Sequence, residues 1–142
     1  MNEWTYNGNN FTSDDIDNWF GFVYIIKNLD KDKFYIGQKQ FWSTIKRPPL
    51  KGKKKKRIVT KESDWKSYTG SSKQLNEDIL SGDRIQKTIL KLCSSKSSLT
   101  YNELKYQLSM DCLELFHDDK CYNGIINVRL SAVCIPNIIK DK

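Results

Sequence analysis

Two short hydrophobic runs in the first third of the chain have the pattern of paired β-strands. Residues 22–26 are all β-branched or aromatic, residues 28–32 are rich in Asn and Asp, and a second apolar run lies within residues 33–37. β-Branched and aromatic residues favour strands, whereas Asn and Asp favour turns. The pattern therefore predicts a β-hairpin over residues 22–37.

Two helices are predicted in the middle of the chain. A short helix is expected over residues 62–68, ended by Gly70. Ser71 followed by Gln74 has the spacing of a capping box, which places a second helix start at Ser71. Gly82 is expected to end that helix, because glycine adopts the backbone conformation that commonly terminates helices.

The last third of the chain predicts a strand, a helix, a turn and a final strand. Residues 85–93 are rich in β-branched positions and short, which favours a strand. Thr100 and Glu103 form a second capping box and predict a helix start there. The apolar face of that helix is expected to contain Leu104, Leu108, Cys112 and Leu115. A turn at residues 121–124 and a strand over residues 125–130 are expected to follow.

A dense run of positive charge interrupts this pattern between residues 46 and 60. It contains two prolines, and Lys or Arg occupies most positions from Lys51 to Arg57. Like charges at this density repel one another and cannot be buried, so we expect an exposed loop or the tip of a hairpin. Residues 58–60 are a candidate returning strand. We therefore treat residues 46–60 as a basic insertion within a domain that covers residues 21–142.

Length and composition fit one folded domain with a short N-terminal arm. The chain has 142 residues, of which 38% are hydrophobic and 12% aromatic, enough to form a core. Residues 1–20 are rich in Asn and Asp with scattered aromatics, and we expect an arm that packs locally. No apolar run approaches the ~20 residues of a membrane span, and no signal-peptide pattern is present. We therefore expect no membrane association and a cytoplasmic location.

Cysteine and histidine usage argues against several kinds of site. The four cysteines are Cys93, Cys112, Cys121 and Cys134, and they contain no C-x-x-C pair or zinc-ligand spacing. We expect free, mostly buried thiols. His117 is the single histidine and lies in a polar stretch, which favours a solvated loop residue over a member of a Ser-His-Asp triad.

Several short motifs occur along the chain in a defined order. The predicted hairpin contains Phe22-Val23-Tyr24 and Tyr35-Ile36-Gly37. Four further motifs follow, namely residues 65–73 (WKSYTGSSK), Ile89-Leu90, Tyr101-Asn102-Glu103 and Tyr122-Asn123. Together, over residues 21–130, they resemble the GIY-YIG nuclease superfamily, and in particular the phage-encoded free-standing (Seg-like) homing endonucleases. The resemblance implies an α+β domain with a small central antiparallel β-sheet flanked by helices, and a loop or hairpin at the basic insertion.

The chain departs from the family pattern at two places. Phe22-Val23-Tyr24 keeps only the tyrosine of Gly-Ile-Tyr. The family places an arginine shortly after Tyr-Ile-Gly, but residues 38–45 contain none. The resemblance therefore leaves two candidates for the catalytic arginine, Arg47 and Arg57, of which we prefer Arg47.

The candidate site residues match the needs of phosphodiester hydrolysis. This reaction needs a nucleophilic water, neutralisation of transition-state charge and help for the leaving oxygen. One Mg²⁺ or Mn²⁺, held by a carboxylate, waters and phosphate oxygens, supplies a Lewis acid, and Glu103 is the candidate ligand. The resemblance implies that Tyr24 is the general base and that Tyr35 orients the phosphate or the water. It also implies that Gly37 and Asn123 support the site structurally.

Each of these residues also has a purely structural interpretation. Tyr24 and Tyr35 could be core aromatics of the hairpin. Glu103 could be present only as the fourth residue of a capping box. Asn123 could simply favour the turn before Gly124.

The charge balance favours a polyanionic partner. The net charge is +7, from 24 basic and 17 acidic residues, and one segment holds a dense block of lysines. The candidate DNA-binding residues are Lys39, Lys51, Lys53, Lys54, Lys55, Lys56, Lys66 and Lys73. We therefore predict a metal-dependent DNA endonuclease, located in the host cytoplasm if it is phage-encoded, with a homodimer or an accessory subunit as a plausible assembly.

Two other functions stay open at this point. A non-catalytic DNA-binding protein on the same scaffold is favoured by the lost Gly-Ile pair and by the displaced arginine. An RNA-directed enzyme is disfavoured only by the family resemblance.

Overall fold

The protein has a five-stranded sheet, a separate two-stranded hairpin and three helices over residues 3–129 and 131, which the computed structural model describes. The elements are β1 (Trp4–Tyr6), β2 (Asn9–Asn10), β3 (Gly21–Asn28), β4 (Lys33–Gln40), β5 (Trp42–Arg47), β6 (Arg57–Glu62), α1 (Lys73–Leu80), β7 (Ile85–Cys93), α2 (Lys96–Ser109) and α3 (Cys112–His117). The strand order in the larger sheet is β2-β1-β7-β3-β4, and all of its neighbouring pairs are antiparallel except β1 with β7. The predicted α+β class is confirmed.

The predicted hairpin forms the centre of the larger sheet. Strands β3 and β4 pair antiparallel, with Tyr24 opposite Gly37 and Ile26 opposite Tyr35. Successive side chains of β3 enter two different cores: Val23 and Ile25 pack on one face, and Tyr24 and its same-face neighbours pack on the other. Burial on both faces explains why this strand is an unbroken hydrophobic run.

The N-terminal segment packs on itself through the pairing of β1 with β2, but it also joins the main sheet, so the expectation of a merely local arm is wrong. Thr5 of β1 pairs with Thr88 of β7, which adds the segment to the main sheet. Trp4 is 2% exposed, and its Nε1 donates a hydrogen bond to the Trp65 carbonyl oxygen at 2.6 Å. The scattered aromatics that suggested an arm are core residues of the domain.

The residues around Trp65 form a turn instead of the predicted helix over residues 62–68. Strand β6 continues to Glu62, and residues 65–67 make a single turn in which the Trp65 side chain is fully buried. Helix α1 begins one residue later than predicted. Its N-cap is Ser72, whose Oγ accepts a hydrogen bond from the Leu75 amide, so Ser71 does not cap it.

Helix α2 also begins earlier than the capping-box pattern predicts. Ser95 is the N-cap, accepting from the Ser98 amide, so Thr100 lies inside the helix. The predicted apolar face is wrong in consequence: Leu108 is 57% exposed, and Cys112 belongs to α3. The buried residues of α2 are Ser98, Leu99, Asn102 and Gln107. Three of these four residues are polar, so a search for regularly spaced hydrophobic residues does not identify the buried face of α2.

The C-terminal end of the described chain lacks the predicted final strand. Residues 123–129 have no regular secondary structure, and Leu130 lies outside the described residues. Cys112 and Cys121 are free and buried, Cys93 is also buried, and Cys134 lies outside the described part. His117 is exposed, but it ends α3 instead of lying in a loop. Within the described chain, no helix has the length and apolar character to span a membrane.

The basic insertion was predicted to be either an exposed loop or the tip of a hairpin, and the structure shows a hairpin. Strands β5 and β6 pair antiparallel from Trp42 opposite Glu62 to Arg47 opposite Arg57, and residues 48–56 connect them. In the described structure these two strands pair only with each other. We call residues 42–62 the basic hairpin.

Candidate functional site

Two tyrosines from the central hairpin lie side by side on one face of the sheet. The ring centroids of Tyr24 (β3) and Tyr35 (β4) are 6.2 Å apart. Gly37, opposite Tyr24 in the sheet, leaves room for them, because a Cβ atom there would lie 2.7 Å from Cζ of Tyr24. Gly70, at φ +84°, is similarly restricted, with its would-be Cβ 2.8 Å from Cε2 of Tyr35. Two glycines thus allow the phenols to approach the backbone closely.

A third phenol, which the sequence analysis missed as a site residue, completes this cluster. The ring of Tyr68 lies 6.2 Å from that of Tyr24, nearly perpendicular to it, and the two hydroxyls share a hydrogen bond. Tyr68 lies in the turn after β6, two residues before Gly70. Tyr68 belongs to the motif at residues 65–73, and this membership could have identified it as a candidate site residue.

The environment of Tyr24 strongly favours its protonated form. The residue is 1% exposed, and burial raises the pKa of its phenol well above the usual value. The neighbouring Tyr35, Tyr68 and Glu103 raise the pKa further. Tyr35 is less buried, and its hydroxyl lies 3.1 Å from Oγ of Ser71.

Glu103 faces the phenols from α2. Because α2 begins at Lys96, this carboxylate lies two turns inside the helix and does not cap it. It accepts a hydrogen bond from Nε2 of Gln38 at 3.3 Å, and burial raises its pKa. The Glu103 side chain lines an open cleft together with Tyr35, Ser71, Ser72, Gln107, Tyr122 and Asn123. The structure therefore brings Tyr24, Tyr35 and Glu103 together.

Neither predicted arginine joins this group. Arg47 and Arg57 pair directly with each other at the far end of the basic hairpin, and both are exposed. Arg47 is five residues beyond Trp42, about 17 Å along a strand at ~3.4 Å per residue. The chain continues from β4 almost directly into β5, and the length of β5 carries both arginines away from the phenols.

The cation nearest to the phenols in the described structure is Lys39. Its Nζ lies 4.2 Å from the centroid of the Tyr68 ring and 2.7 Å from Oδ1 of Asp64. This ion pair holds the pKa of Asp64 below its usual value. Lys39 was predicted as a phosphate contact, and its location two residues beyond Gly37 places it at the edge of the site.

Asn123 connects the C-terminal segment to the strand that bears Tyr35. Its Oδ1 accepts from the Ile36 amide at 2.9 Å, and its Nδ2 donates to the Ile36 carbonyl oxygen at 2.8 Å. Both bonds are buried and fix β4 between Tyr35 and Gly37. The Asn123 side chain thus bonds the backbone of β4 as a neighbouring strand would, so its role is more than favouring the turn before Gly124.

The remaining candidate DNA contacts are exposed on the surface. Lys66 is exposed, with Nζ 6.0 Å from the Trp65 ring centroid, and Lys73 is the exposed first residue of α1. The tip of the basic hairpin bears the exposed lysines Lys51, Lys53, Lys54, Lys55 and Lys56.

One of three comparisons with known proteins identifies a family for this chain. No curated protein and no solved structure matches the chain. A family model does match, over residues 4–126, and its description is "Putative endonuclease segE, GIY-YIG domain". The match covers most of the chain, including β1 in the segment once expected to be an arm. The chain therefore belongs to the segE-type GIY-YIG endonuclease domain family.

Proposed function

We propose that the protein hydrolyses phosphodiester bonds of DNA in the cleft beside Tyr35 and Glu103. The observation that carries the proposal is the partly buried Glu103 carboxylate, which faces three phenols. Among the described residues, no basic side chain forms an ion pair with this carboxylate. A buried carboxylate without a cationic partner is costly unless a cation joins it.

The donor set at this position fits a hydrated divalent cation. Over the described residues, no group of three or more His, Cys, Asp or Glu side chains could enclose a metal. Mg²⁺ commonly keeps several waters and uses one or two carboxylates plus substrate phosphate, so Glu103 alone is a sufficient protein ligand. A bound Mg²⁺ or Mn²⁺ would supply Lewis-acid stabilisation of the phosphate charge.

The protein's own side chains supply the other functions in this proposal. Lys39 provides positive charge beside the phenols, in the place where the family uses an arginine. The Tyr35 hydroxyl, held 3.1 Å from Ser71 Oγ, orients the phosphate or the attacking water. Tyr24 accepts the proton of that water only when positive charge adjoins the phenols, because burial raises the pKa of its phenol.

The proposed reaction is a single displacement at phosphorus. Water attacks the phosphorus atom and gives its proton to Tyr24, and the bond from phosphorus to the 3′ oxygen breaks. The departing 3′ oxygen takes up a proton from solvent. The products are a 5′-phosphate and a 3′-hydroxyl. These ends are the substrate of DNA ligase, so the end chemistry can be tested simply.

The experiment incubates the purified chain with supercoiled plasmid in Mg²⁺, in Mn²⁺ or in excess chelator. We expect nicked circles with either metal, none with chelator, and complete resealing of the nicks by DNA ligase. Tyr24→Phe should abolish nicking, and Tyr101→Phe, at a half-buried position of α2, is the matched control. Nicking in chelator, or nicking that survives Tyr24→Phe, would contradict the proposal.

The second candidate function is non-catalytic DNA binding. It is favoured by the distance of Arg47 and Arg57 from the phenols and by the burial of Tyr24. Tight binding to duplex DNA without nicking in either metal would support this function instead.

A further inference from the structure

The basic hairpin carries the entire positive excess of the chain. Residues 42–62 contain nine of the 24 basic residues and one of the 17 acidic residues, a formal charge of +8 in a chain of +7. All the other residues together therefore carry a formal charge of −1. Attraction to a polyanion is consequently concentrated on this one projecting element.

The two faces of the hairpin differ in exposure. On one face, Thr44 lies opposite Thr60 and Lys46 lies opposite Ile58, and all four side chains are exposed. Ile58 is 67% exposed, although it is a large aliphatic side chain in a strand. On the other face the central pair is half-buried. We call the four exposed residues the strand face.

We propose that the strand face lies in the major groove of duplex DNA and contacts base edges; this inference rests on the proposed function. The major groove, about 12 Å wide, admits a two-stranded β-ribbon. Threonine hydroxyls can donate to and accept from base edges, and Lys46 can donate to the acceptors of guanine. Ile58 matches the methyl group of thymine, the apolar feature of this groove.

The tip of the hairpin has a different role from the strand face. Its lysines, between residues 51 and 56, contact phosphates, which adds affinity without sequence information. Two parts of the hairpin thus have two different functions in this proposal. Sequence recognition belongs to the paired strands, and salt-dependent affinity belongs to the tip.

The position of the hairpin connects recognition to cleavage. A groove lined by Gln38, Lys39, Trp42, Thr44 and Lys96 lies beside the hairpin base. Gln38 of this groove donates to Glu103, so the strand face begins next to the candidate site. Six residues per strand span about 20 Å, or about six base pairs at ~3.4 Å each. We expect the contacted bases to lie on one side of the cleaved bond.

The test uses the full chain carrying Glu103→Gln, so that bound DNA is not cut. Duplexes are selected by binding from a randomised pool, and the selected duplex is then methylated with dimethyl sulfate for an interference assay. Methylation at N7 of guanine lies in the major groove, whereas methylation at N3 of adenine lies in the minor groove. We expect enrichment of a sequence and interference at guanine N7 within a stretch of about six base pairs.

Two hairpin variants separate recognition from attraction. The strand-face variant carries T44A, I58A and T60A, and should bind with the same salt slope but lose the sequence enrichment. The tip variant carries K53S, K54S and K55S, and should keep the enrichment while its salt slope falls by about 2.7. Thermal melts establish that both variants are folded.

Several outcomes overturn the inference. These are no enrichment with the unmodified hairpin, interference at adenine N3 alone, or an unchanged enrichment in a folded strand-face variant. Preferential capture by structured RNA also overturns it, because the deep, narrow major groove of RNA excludes such a ribbon. Nicking is measured separately with the wild-type chain. Enrichment together with a wild-type chain that never nicks DNA would refute the proposed hydrolysis but keep its DNA substrate, which is the part of the proposed function that this inference needs.

Discussion

Lys39 is the residue on which the charge balance of the proposed site depends. Its ammonium lies above the Tyr68 ring and pairs with Asp64, at the edge of a phenol cluster whose members all have a raised pKa. Burial is the largest cause of the raised pKa in each case. Since neither Arg47 nor Arg57 lies near the phenols, we propose that Lys39 stabilises negative charge on a bound phosphate.

Removing this charge should slow nicking more than it weakens binding. We expect Lys39→Ala to lower the single-turnover nicking rate at saturating protein by about 100-fold or more, the usual cost of losing a transition-state charge contact. Lys39→Arg should keep most of the rate, because it keeps the charge. Arg47→Ala and Arg57→Ala should change the binding constant only. If either arginine variant lowered the single-turnover nicking rate at saturating protein, that arginine and not Lys39 would have the catalytic role.

Glu103 should make the metal-free protein less stable near neutral pH. Burial raises the pKa of this carboxyl, so the folded state holds its proton more tightly than the unfolded state does. The associated stability is present below the unfolded pKa and is lost as the pH rises through the folded pKa. We expect Glu103→Gln to melt at a higher temperature than the wild type at pH 7, with the difference shrinking as the pH falls.

The effect of Mg²⁺ on the melting temperature provides a second test of the role of Glu103. A cation that binds the folded state stabilises it by mass action. The melting temperature of the wild type should therefore rise with Mg²⁺ concentration, while that of Glu103→Gln should not respond. Equal responses of the two proteins would show that the cation binds elsewhere.

At the scale of elements, the site depends on how the C-terminal segment holds β4. Asn123 makes two buried hydrogen bonds to the backbone of Ile36, between Tyr35 and Gly37. Tyr122 reinforces the segment by donating to Asp78 Oδ2 at 2.6 Å. This segment has no regular secondary structure after residue 122, so side chains replace a strand partner.

Loss of the Asn123 side chain should destabilise the whole sheet. Asn123→Ala leaves the buried Ile36 amide unpaired, while the Ile36 carbonyl oxygen keeps its hydrogen bond from Gln107 Nε2. We expect a cost of about 1–3 kcal/mol in the free energy of unfolding. Urea titration measures this cost, with the exposed Asn18→Ala as the matched control. An effect no larger than that of the control would mean that β4 does not depend on Asn123.

The elements that could be predicted are those specified by local sequence. The β-branched run at residues 22–26 predicted β3 because both faces of that strand are apolar. The start of α2 was misplaced because Thr100 and Glu103 fit a capping box by spacing alone, whereas tertiary packing selects Ser95. Tyr68 follows a turn and Lys39 lies in β4, and their contact joins residues that are far apart in the sequence. No local sequence pattern predicts such a contact.

At the scale of the whole molecule, charge and chemistry lie on different parts of the chain. The basic hairpin has a formal charge of +8, and the rest of the protein, including the phenol cluster, has a formal charge of −1. The hairpin leaves the body directly after β4, the strand that bears Tyr35 and Lys39. In the binding mode that we propose, the hairpin therefore places the DNA backbone beside the candidate site.

In the proposed function, the cleft beside Glu103 cuts one strand in each binding event. We expect a plasmid time course in which nicked circles accumulate first and linear DNA follows more slowly. The yield of linear DNA should rise with protein concentration if two copies must meet. Linear DNA that forms without a nicked intermediate at the lowest protein concentration would contradict this expectation.

The central claim is that the Glu103 carboxylate belongs to the catalytic machinery of a nuclease. The most direct measurement is the single-turnover nicking rate of Glu103→Gln in Mg²⁺, at a protein concentration that saturates the plasmid, beside the exposed surface variant Glu77→Gln. The account predicts a rate reduced by about 100-fold or more for Glu103→Gln, with the rate of Glu77→Gln unchanged and DNA affinity intact in both. Equal nicking rates for the two variants would contradict it.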